Sequence, residues 1–575
     1  MDKARQSYRQ GHGAQAESLC RQVLALMPAH VDSLNLMGII AQSSGRHKLS
    51  VKMLSRAIAS DPINAACHYN LGSSYQAVNQ HENAATHFKK AIALGLSGNN
   101  TEEFITRNPT IATYLDRLEK EQLLLHQTDF FDASGLESIA NDLFLRCAME
   151  CVVLRGRALE MLLTRLRFAF LRFATANAAA PRPVSDDLVS CLSALALQCF
   201  LNEYVYFQTP DETQHSIRLR NLLLEQLNGG CESEPITLAA VAAYFPLYQL
   251  PGADKILKRE WPKTIGELIT QQLYQPLEEL RGASAISALT AIDQGISLQV
   301  MRQYEQNPYP RWSLDSQAAA LTEEGAQQAD VGVEILVAGC GTGRHALQVA
   351  RQYPKAQILA IDLSVPSLAY ARRKTLEAGF NNVAYAQADI LKLHAIRRHF
   401  DRIEVVGVLH HLADPETGWR ILLSLLRPGG EMRVGLYSEA ARRGIVEARA
   451  LIKQRGYRPT RDDIRKCRED IFNSDGDGRW RRITSNADFY SVSGCRDLLF
   501  NVMEHQFTIP RISKFLDENK ISFLGFEEPQ VIQLFQRQFP EAALTDLQQW
   551  HEFEKANPMA FRHMYVFSVC KQTHA

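Results

Sequence analysis

Gly339, Gly341 and Gly343 stand within five residues, directly behind an apolar run of Ile335, Leu336, Val337 and Ala338. Glycines so spaced let the backbone take angles that a side chain penalises and approach a ligand closely. They therefore suit a small cofactor held on main-chain groups at a strand-to-helix turn. Downstream stand groups able to bond to or deprotonate such a ligand's partner: Asp362, Asp389-Ile390 and the pair His410-His411. Carboxylates accept from sugar hydroxyls or an amino group, and histidine is the natural base near neutral pH.

Two readings of the turn compete. Gly341-Thr-Gly343-Arg-His-Ala346 fits the dinucleotide pattern G-x-G-x-x-A, with Asp362 following 21 residues after Gly341 (362 − 341). Read one step earlier, Gly339-Cys-Gly341-Thr-Gly343 is G-x-G-x-G, and here the chain resembles the class I S-adenosylmethionine-dependent methyltransferases. The order of the downstream segments favours the second reading. Gln357–Ile361 is a second strand ending at Asp362, and Val383–Gln387 a third, followed by Ala388-Asp389-Ile390. Phe400–Val406, Leu409-His410-His411-Leu412, and Leu426-Arg427-Pro428-Gly429-Gly430 leading into Glu431–Tyr437 complete the series. The resemblance implies that Gly339, Gly341 and Gly343 meet the methionine portion. It also implies that Asp362 binds ribose, that Asp389 with Ile390 meets adenine, and that the loop carrying His410 and His411 lies near the sulfonium.

The elements that must position these groups alternate strand and helix, which implies right-handed crossovers and a doubly wound parallel sheet. Ser364 is a candidate N-cap with Pro366 in the first turn, and Gly379 closes that helix. Ile521–Phe526 and His563–Cys570 supply two further strands, the second antiparallel by the resemblance. A lid insertion is expected at about 440–510. It contains Asp488, Tyr490, Glu504 and His505, which join Tyr437 as further acceptor-side candidates. Within it, Asn473–Gly478 opens like a calcium loop, but Thr484 occupies the position where such a loop needs an acid, so a turn is expected and no metal.

The N-terminus repeats with a period of 34. Leu34, Met37, Gly38, Ala41, Ser50, Leu54 and Ala57 recur as His68, Leu71, Gly72, Tyr75, Ala84, Phe88 and Ala91. This resembles the tetratricopeptide repeat, three units over residues 1–98, whose stacks usually present a surface to a protein partner. Residues 99–300 read as an all-α middle region and 301–575 as the methyltransferase domain. Within the middle region, Leu143–Phe173 reads as one helix with a solvated arginine face, and Thr175–Asp187 as a loop. Ahead of the first strand, Gln303–Trp312 holds Asn307-Pro-Tyr309-Pro-Arg311-Trp312, a proline-stiffened strap that offers Tyr309 and Arg311 to the site. With the repeats, the strap makes the chain similar to bacterial tetratricopeptide-repeat methyltransferases.

Bulk composition excludes little. Lys+Arg and Asp+Glu are 63 each, so the formal net charge is zero and no obligatory nucleic-acid partner is implied. Eleven cysteines lack paired metal spacing, and no apolar stretch of membrane-spanning length occurs. A reducing cytoplasm is the expected setting. Three functions stay open: a methyltransferase acting on a protein that the repeats recruit, a small-molecule or lipid methyltransferase whose repeats serve assembly, and a non-enzymatic scaffold.

Overall fold

A computed structural model describes residues 1–95, 99–106, 108–120, 130–230, 233–292, 295–306, 308, 311–312, 332–474 and 478–572. The chain divides into two compact units. Met1–Tyr274 with Trp312–Thr322 makes a helical unit, and Gln275–Arg311 with Glu323–Ala575 makes a sheet unit.

The helical unit begins with paired helices, among them Val31–Ser43, His47–Ser60, Ala65–Gln76 and His81–Ala93. Packing explains the 34-residue period. A Cβ on Gly38 would lie 2.5 Å from Leu54 Cγ, and one on Gly72 would lie 2.6 Å from Phe88 Cδ1. The helices of each pair cross where only glycine leaves room. Ser50 donates to the Gly38 carbonyl at 2.7 Å at the same crossing. The stack runs on into the following helices, because Phe144 meets both Tyr69 and Phe88 edge to face at 5.0 and 5.3 Å.

Four sequence expectations change in the middle region. Leu143–Phe173 is two helices, Leu143–Cys151 and Arg157–Ala179, broken at Gly156 with φ +96°. The second helix runs five residues into the expected loop, from Thr175 to Ala179, and the loop shrinks to the short link before Asp186. Its arginine face is not all solvated: Arg167 is fully buried and pairs with Glu212 at 2.8 Å, and Tyr244 donates to the same carboxylate at 2.6 Å. Finally, the first compact unit ends its main span at Tyr274, inside the region expected to run from 99 to 300. Helix Gln275–Ala283 packs on helix Val365–Glu377, and strand β1 (Ser287–Ala288) extends the sheet. Short elements with little hydrophobic periodicity give no sign of that allegiance.

The sheet unit is built on β2 (Glu334–Ala338), β3 (Gln357–Asp362), β4 (Val383–Gln387), β5 (Phe400–Val406), β6 (Leu426–Leu436), β7 (Ile521–Phe526) and β8 (Tyr565–Lys571). Their order is β1-β4-β3-β2-β5-β6-β8-β7. All neighbours from β1 to β6 are parallel, and β8 lies antiparallel between β6 and β7. In β2, Ile335, Leu336, Val337 and Ala338 are all buried, as a central strand covered on both faces requires. Strand order reverses at β2, with β3 on one side and β5 on the other, so a crevice opens beyond their carboxyl ends. The helix from Val365 is capped as its sequence suggests: Ser364 accepts from Ser367 N–H, Pro366 fills the first turn and Gly379 follows at φ +83°. Among the described residues, no helix is long and apolar enough to cross a membrane.

Candidate functional site

The turn after β2 takes the conformation its glycines allow. Gly339, Gly341 and Gly343 have φ of +72°, +53° and +83°. A Cβ on Gly339 would stand 2.4 Å from Val408 Cγ2, and one on Gly343 2.4 Å from Ala371 Cβ. The turn is therefore wedged between the loop after β5 on one side and helix Val365–Glu377 on the other.

Asp362, at the end of β3, holds the turn from the side. Its carboxylate accepts the Gly341 N–H at 2.8 Å and the Ser364 N–H at 3.0 Å. Burial pushes its acidity toward higher pH, and these two backbone bonds with that of Leu363 pull it back. Asp389 caps the turn Ile390–Ala395, accepting from Leu391 N–H at 2.9 Å, and is itself buried. The Ile390 side chain packs in the core, so only its backbone faces the edge. Thr290, just after β1, accepts the Asp389 N–H at 2.8 Å, a part of this wall that no motif announced.

On the other side of the glycine turn, β5 and β6 run parallel, with Val406 beside Gly435. The turns after them are therefore neighbours. His410 and Tyr437 stack with ring centroids 3.8 Å apart, and the Arg442 guanidinium lies 3.8 Å from the Tyr437 ring centroid. His410 is wholly enclosed, and among the described residues neither of its ring nitrogens has a hydrogen-bond partner. Burial, followed by the neighbouring His411, Arg442 and His505, holds its pKa well below the ordinary histidine value. His411 presents Nδ1 to the Met503 carbonyl at 2.8 Å.

The lid insertion supplies the rest. Its helices include Glu439–Arg455, Arg461–Ser474 and Val492–Phe500. The Glu504 side chain is enclosed, and Arg442 Nε at 3.1 Å and Arg449 Nη1 at 3.2 Å bond to it. The His505 N–H donates to the His410 carbonyl at 2.7 Å. Asp497, buried, accepts from the Tyr304 hydroxyl at 2.6 Å and from Asn501 Nδ2 at 3.0 Å, and lies 4.0 Å from His411 Nε2. Tyr304 comes from helix Gly295–Gln306, immediately before the strap. Sequence reading missed Asp497, Arg442, Asn501 and Tyr304, although Tyr304 stands inside the segment singled out for its aromatic residues.

The structure thus brings Gly339, Gly341, Gly343, Asp362, Asp389, His410 and His411 to one edge of the sheet. Tyr437, Glu504 and His505 join them. Asp488 lies near Tyr437, close enough to raise its pKa, whereas the Tyr490 hydroxyl is committed to the Thr484 carbonyl at 2.7 Å. Arg311 rests 6.0 Å from the Tyr370 ring centroid. Tyr309 lies outside the described residues, as do Asp475–Asp477 of the calcium-like turn.

Family profiles match at two places. One, described as a methyltransferase domain, covers residues 335–430; the other, a tetratricopeptide repeat, covers residues 65–94. The chain thus carries a segment that matches a methyltransferase domain and another that matches a tetratricopeptide repeat. An uncharacterised protein of Synechococcus sp. is 29% identical over 272 residues, spanning 43% of this chain and 64% of that one. A demethylmenaquinone methyltransferase of Thermus thermophilus is 34% identical over 100 residues, spanning 17% of this chain and 45% of that one. The chain thus spans less than two thirds of these relatives' length. Among solved structures, PKMT2 from Rickettsia typhi in complex with AdoHcy has a TM-score of 0.33 at 19% identity, with 49% of this chain and 53% of that one covered. The methyltransferase domain's matched span holds the glycine turn, both aspartates and both histidines, and ends before the lid insertion.

Proposed function

We propose that this chain transfers a methyl group from S-adenosylmethionine to a protein acceptor recruited by its repeats. The observation that carries the reading is the glycine turn at the sheet's switch point. Two of its Cα positions have no room for a Cβ, and Asp362 and Asp389 flank it at the ends of the next two parallel strands. That cradle fits an adenosine-bearing sulfonium. Gly339, Gly341 and Gly343 would meet the methionine portion, Asp362 would accept from ribose hydroxyls, and Asp389 with the Ile390 backbone would meet adenine.

When bound, the cofactor supplies an electrophilic methyl on a positive sulfur. This chain's part is to align the acceptor in line with that carbon and to take up the proton it loses. His410 and His411 stand on the loop against Gly339, where the acceptor must approach, and we assign Tyr309 and Arg311 of the strap to the same side. As working domains we take repeats at 1–98, a helical body to Tyr274 and a catalytic unit from Gln275 that includes the strap as far as Arg311. Ten described cysteines are free thiols, which supports placement in the cytoplasm.

A small-molecule acceptor is the second reading, favoured by the relatives named demethylmenaquinone and ubiquinone-biosynthesis methyltransferases. Calorimetry with S-adenosylmethionine, S-adenosylhomocysteine and NAD tests the cofactor: the first two bind and NAD does not, and a preference for NAD overturns the reading. Labelling a cell lysate with methyl-tritiated cofactor, with and without the chain, separates protein from small-molecule acceptors by where the label appears.

A further inference from the structure

The two histidines of the acceptor side sit in opposite electrostatic surroundings. His410 has no exposed surface and faces His411, Arg442 and His505, all positive or able to become so. A proton placed there would be buried among like charges without a counter-ion. His411 differs in three respects. It keeps 7% of its surface exposed, its Nδ1 is fixed by a carbonyl, and Asp497 lies 4.0 Å from its Nε2. Because a carbonyl only accepts, Nδ1 must carry the hydrogen, and the lone pair of the neutral ring is therefore on Nε2.

Asp497 is itself unusual. Glu504, the neighbouring buried carboxylate, bridges two arginines, but the hydrogen-bond partners of Asp497 are the neutral Tyr304 hydroxyl and Asn501 amide. Arg442 feels the charge of Asp497, but its hydrogen bonds go to Glu504, so Asp497 still gains from a further positive charge. The group beside it that can acquire one is the His411 ring.

Resting on the methyltransferase reading, we infer that His411 is the proton acceptor of the reaction and that Asp497, held by Tyr304 and Asn501, is its positioning residue. The acceptor then belongs to the class of nucleophiles that carry a proton, a neutral amine nitrogen or a hydroxyl oxygen, and excludes thioethers and carboxylates. The acceptor's lone pair forms the bond to the methyl carbon as the carbon–sulfur bond breaks, both electrons staying on sulfur. The acceptor's proton passes to His411 Nε2, and the resulting imidazolium faces Asp497. His410 serves as the uncharged wall on which Tyr437 stacks. The charged or titratable groups around the pair are Tyr304 from helix Gly295–Gln306, Arg442 and Arg449 from helix Glu439–Arg455, Glu504 and His505 from the returning segment, and Tyr437 and His410 from the strand ends.

The test uses the full chain, with ¹⁵N-histidine labelling and S-adenosylhomocysteine as the bound probe. Long-range nitrogen spectra should show His411 protonated at Nδ1 and titrating at Nε2. Asp497→Asn keeps an acceptor for Tyr304 but removes the charge, and should lower the midpoint of that titration. An Nε2–H tautomer, or an unchanged midpoint, overturns the inference. In a second arm, methyl-tritiated cofactor and lysate are followed from pH 6 to 9. His411→Asn, which retains a donor for the Met503 carbonyl, should lower incorporation about 100-fold or more. Asp497→Asn should also lower it and shift the pH profile, and neither variant should change S-adenosylhomocysteine affinity. Undiminished incorporation by both variants, with a wild-type pH profile, overturns the inference. If the wild-type chain incorporates nothing, the methyltransferase reading itself fails, and the nitrogen spectra still decide the His411–Asp497 relation.

Discussion

The cofactor side and the acceptor side of the sheet edge are assembled from different material. On the cofactor side the decisive feature is backbone: three glycines at positive φ, and amides bonded by the Asp362 carboxylate and by Asp389 at the cap of a turn. Its glycines and Asp362 stand close together in sequence, Gly341 and Asp362 being 21 residues apart. On the acceptor side the groups are buried, mutually bonded side chains. Arg442 reaches Glu504 across 62 residues, His411 reaches Met503 across 92, and Tyr304 reaches Asp497 across 193. A backbone cradle tolerates no added atom but little affects its neighbours. A buried charge network tolerates changes of shape but not the loss of a partner.

The largest effect is expected where one methyl group enters the cradle. Gly343→Ala forces a side chain into the left-handed region, costing about 1–2 kcal/mol. It also sets a Cβ 2.4 Å from that of Ala371 and 2.9 Å from its Cα, where overpacking costs a further ~1–3 kcal/mol. S-adenosylmethionine affinity should fall by two orders of magnitude or more while the far-ultraviolet circular dichroism stays that of wild type. Wild-type affinity would show that the turn does not approach the ligand. On the acceptor side, Arg442→Met leaves Glu504 buried with Arg449 alone. Removing one partner of a buried pair costs about 3–5 kcal/mol, and the remaining arginine holds this case near the lower bound. Thermal unfolding should register that loss without weakening cofactor affinity among molecules still folded. Loss of affinity at unchanged stability would mean that the two sides are not separable.

The same contrast explains what the sequence could reveal. Glycines before an apolar-periodic segment, an aspartate at the end of each of two strands and the Leu-His-His-Leu loop are local signals, and the structure brings them together. The 34-residue repeat is legible because Gly38 and Gly72 are demanded by the same crossing in successive units. Asp497 and Arg442 carry no signal, since an arginine on an amphipathic helix looks alike whether it faces water or a buried glutamate. Arg167 is misread for that reason, its partner Glu212 lying 45 residues away. The strand at Ser287–Ala288 is invisible because two residues cannot display a period.

Asp362 offers an intermediate test, because it is side chain and cradle at once. Asp362→Ala removes the acceptor for Gly341 N–H and Ser364 N–H as well as the proposed ribose contact. Loss of hydrogen bonds to a charged group should weaken S-adenosylmethionine by about 1.5–3 kcal/mol, read by calorimetry. Asp362→Asn keeps an oxygen for one amide and should recover part of that loss. Equal affinity of both variants with wild type would remove Asp362 from the site.

The smallest effect is expected at Arg311 of the strap. Its guanidinium lies 6.0 Å from the Tyr370 ring, at the outer reach of a cation–π contact, and Arg373 already occupies that ring at 5.1 Å. Arg311→Ala should therefore change cofactor affinity by less than about 1 kcal/mol, the value of an exposed cation–π pair, and leave the melting temperature of the unliganded chain unaltered. If the strap helps to receive the acceptor, the same variant lowers label incorporation from methyl-tritiated cofactor, and Tyr309→Ala does so as well. A fall in melting temperature with full incorporation would make the strap a packing element only. A tenfold loss of cofactor affinity would instead move Arg311 to the cofactor side, and the division between backbone cradle and side-chain network would then fail at that residue.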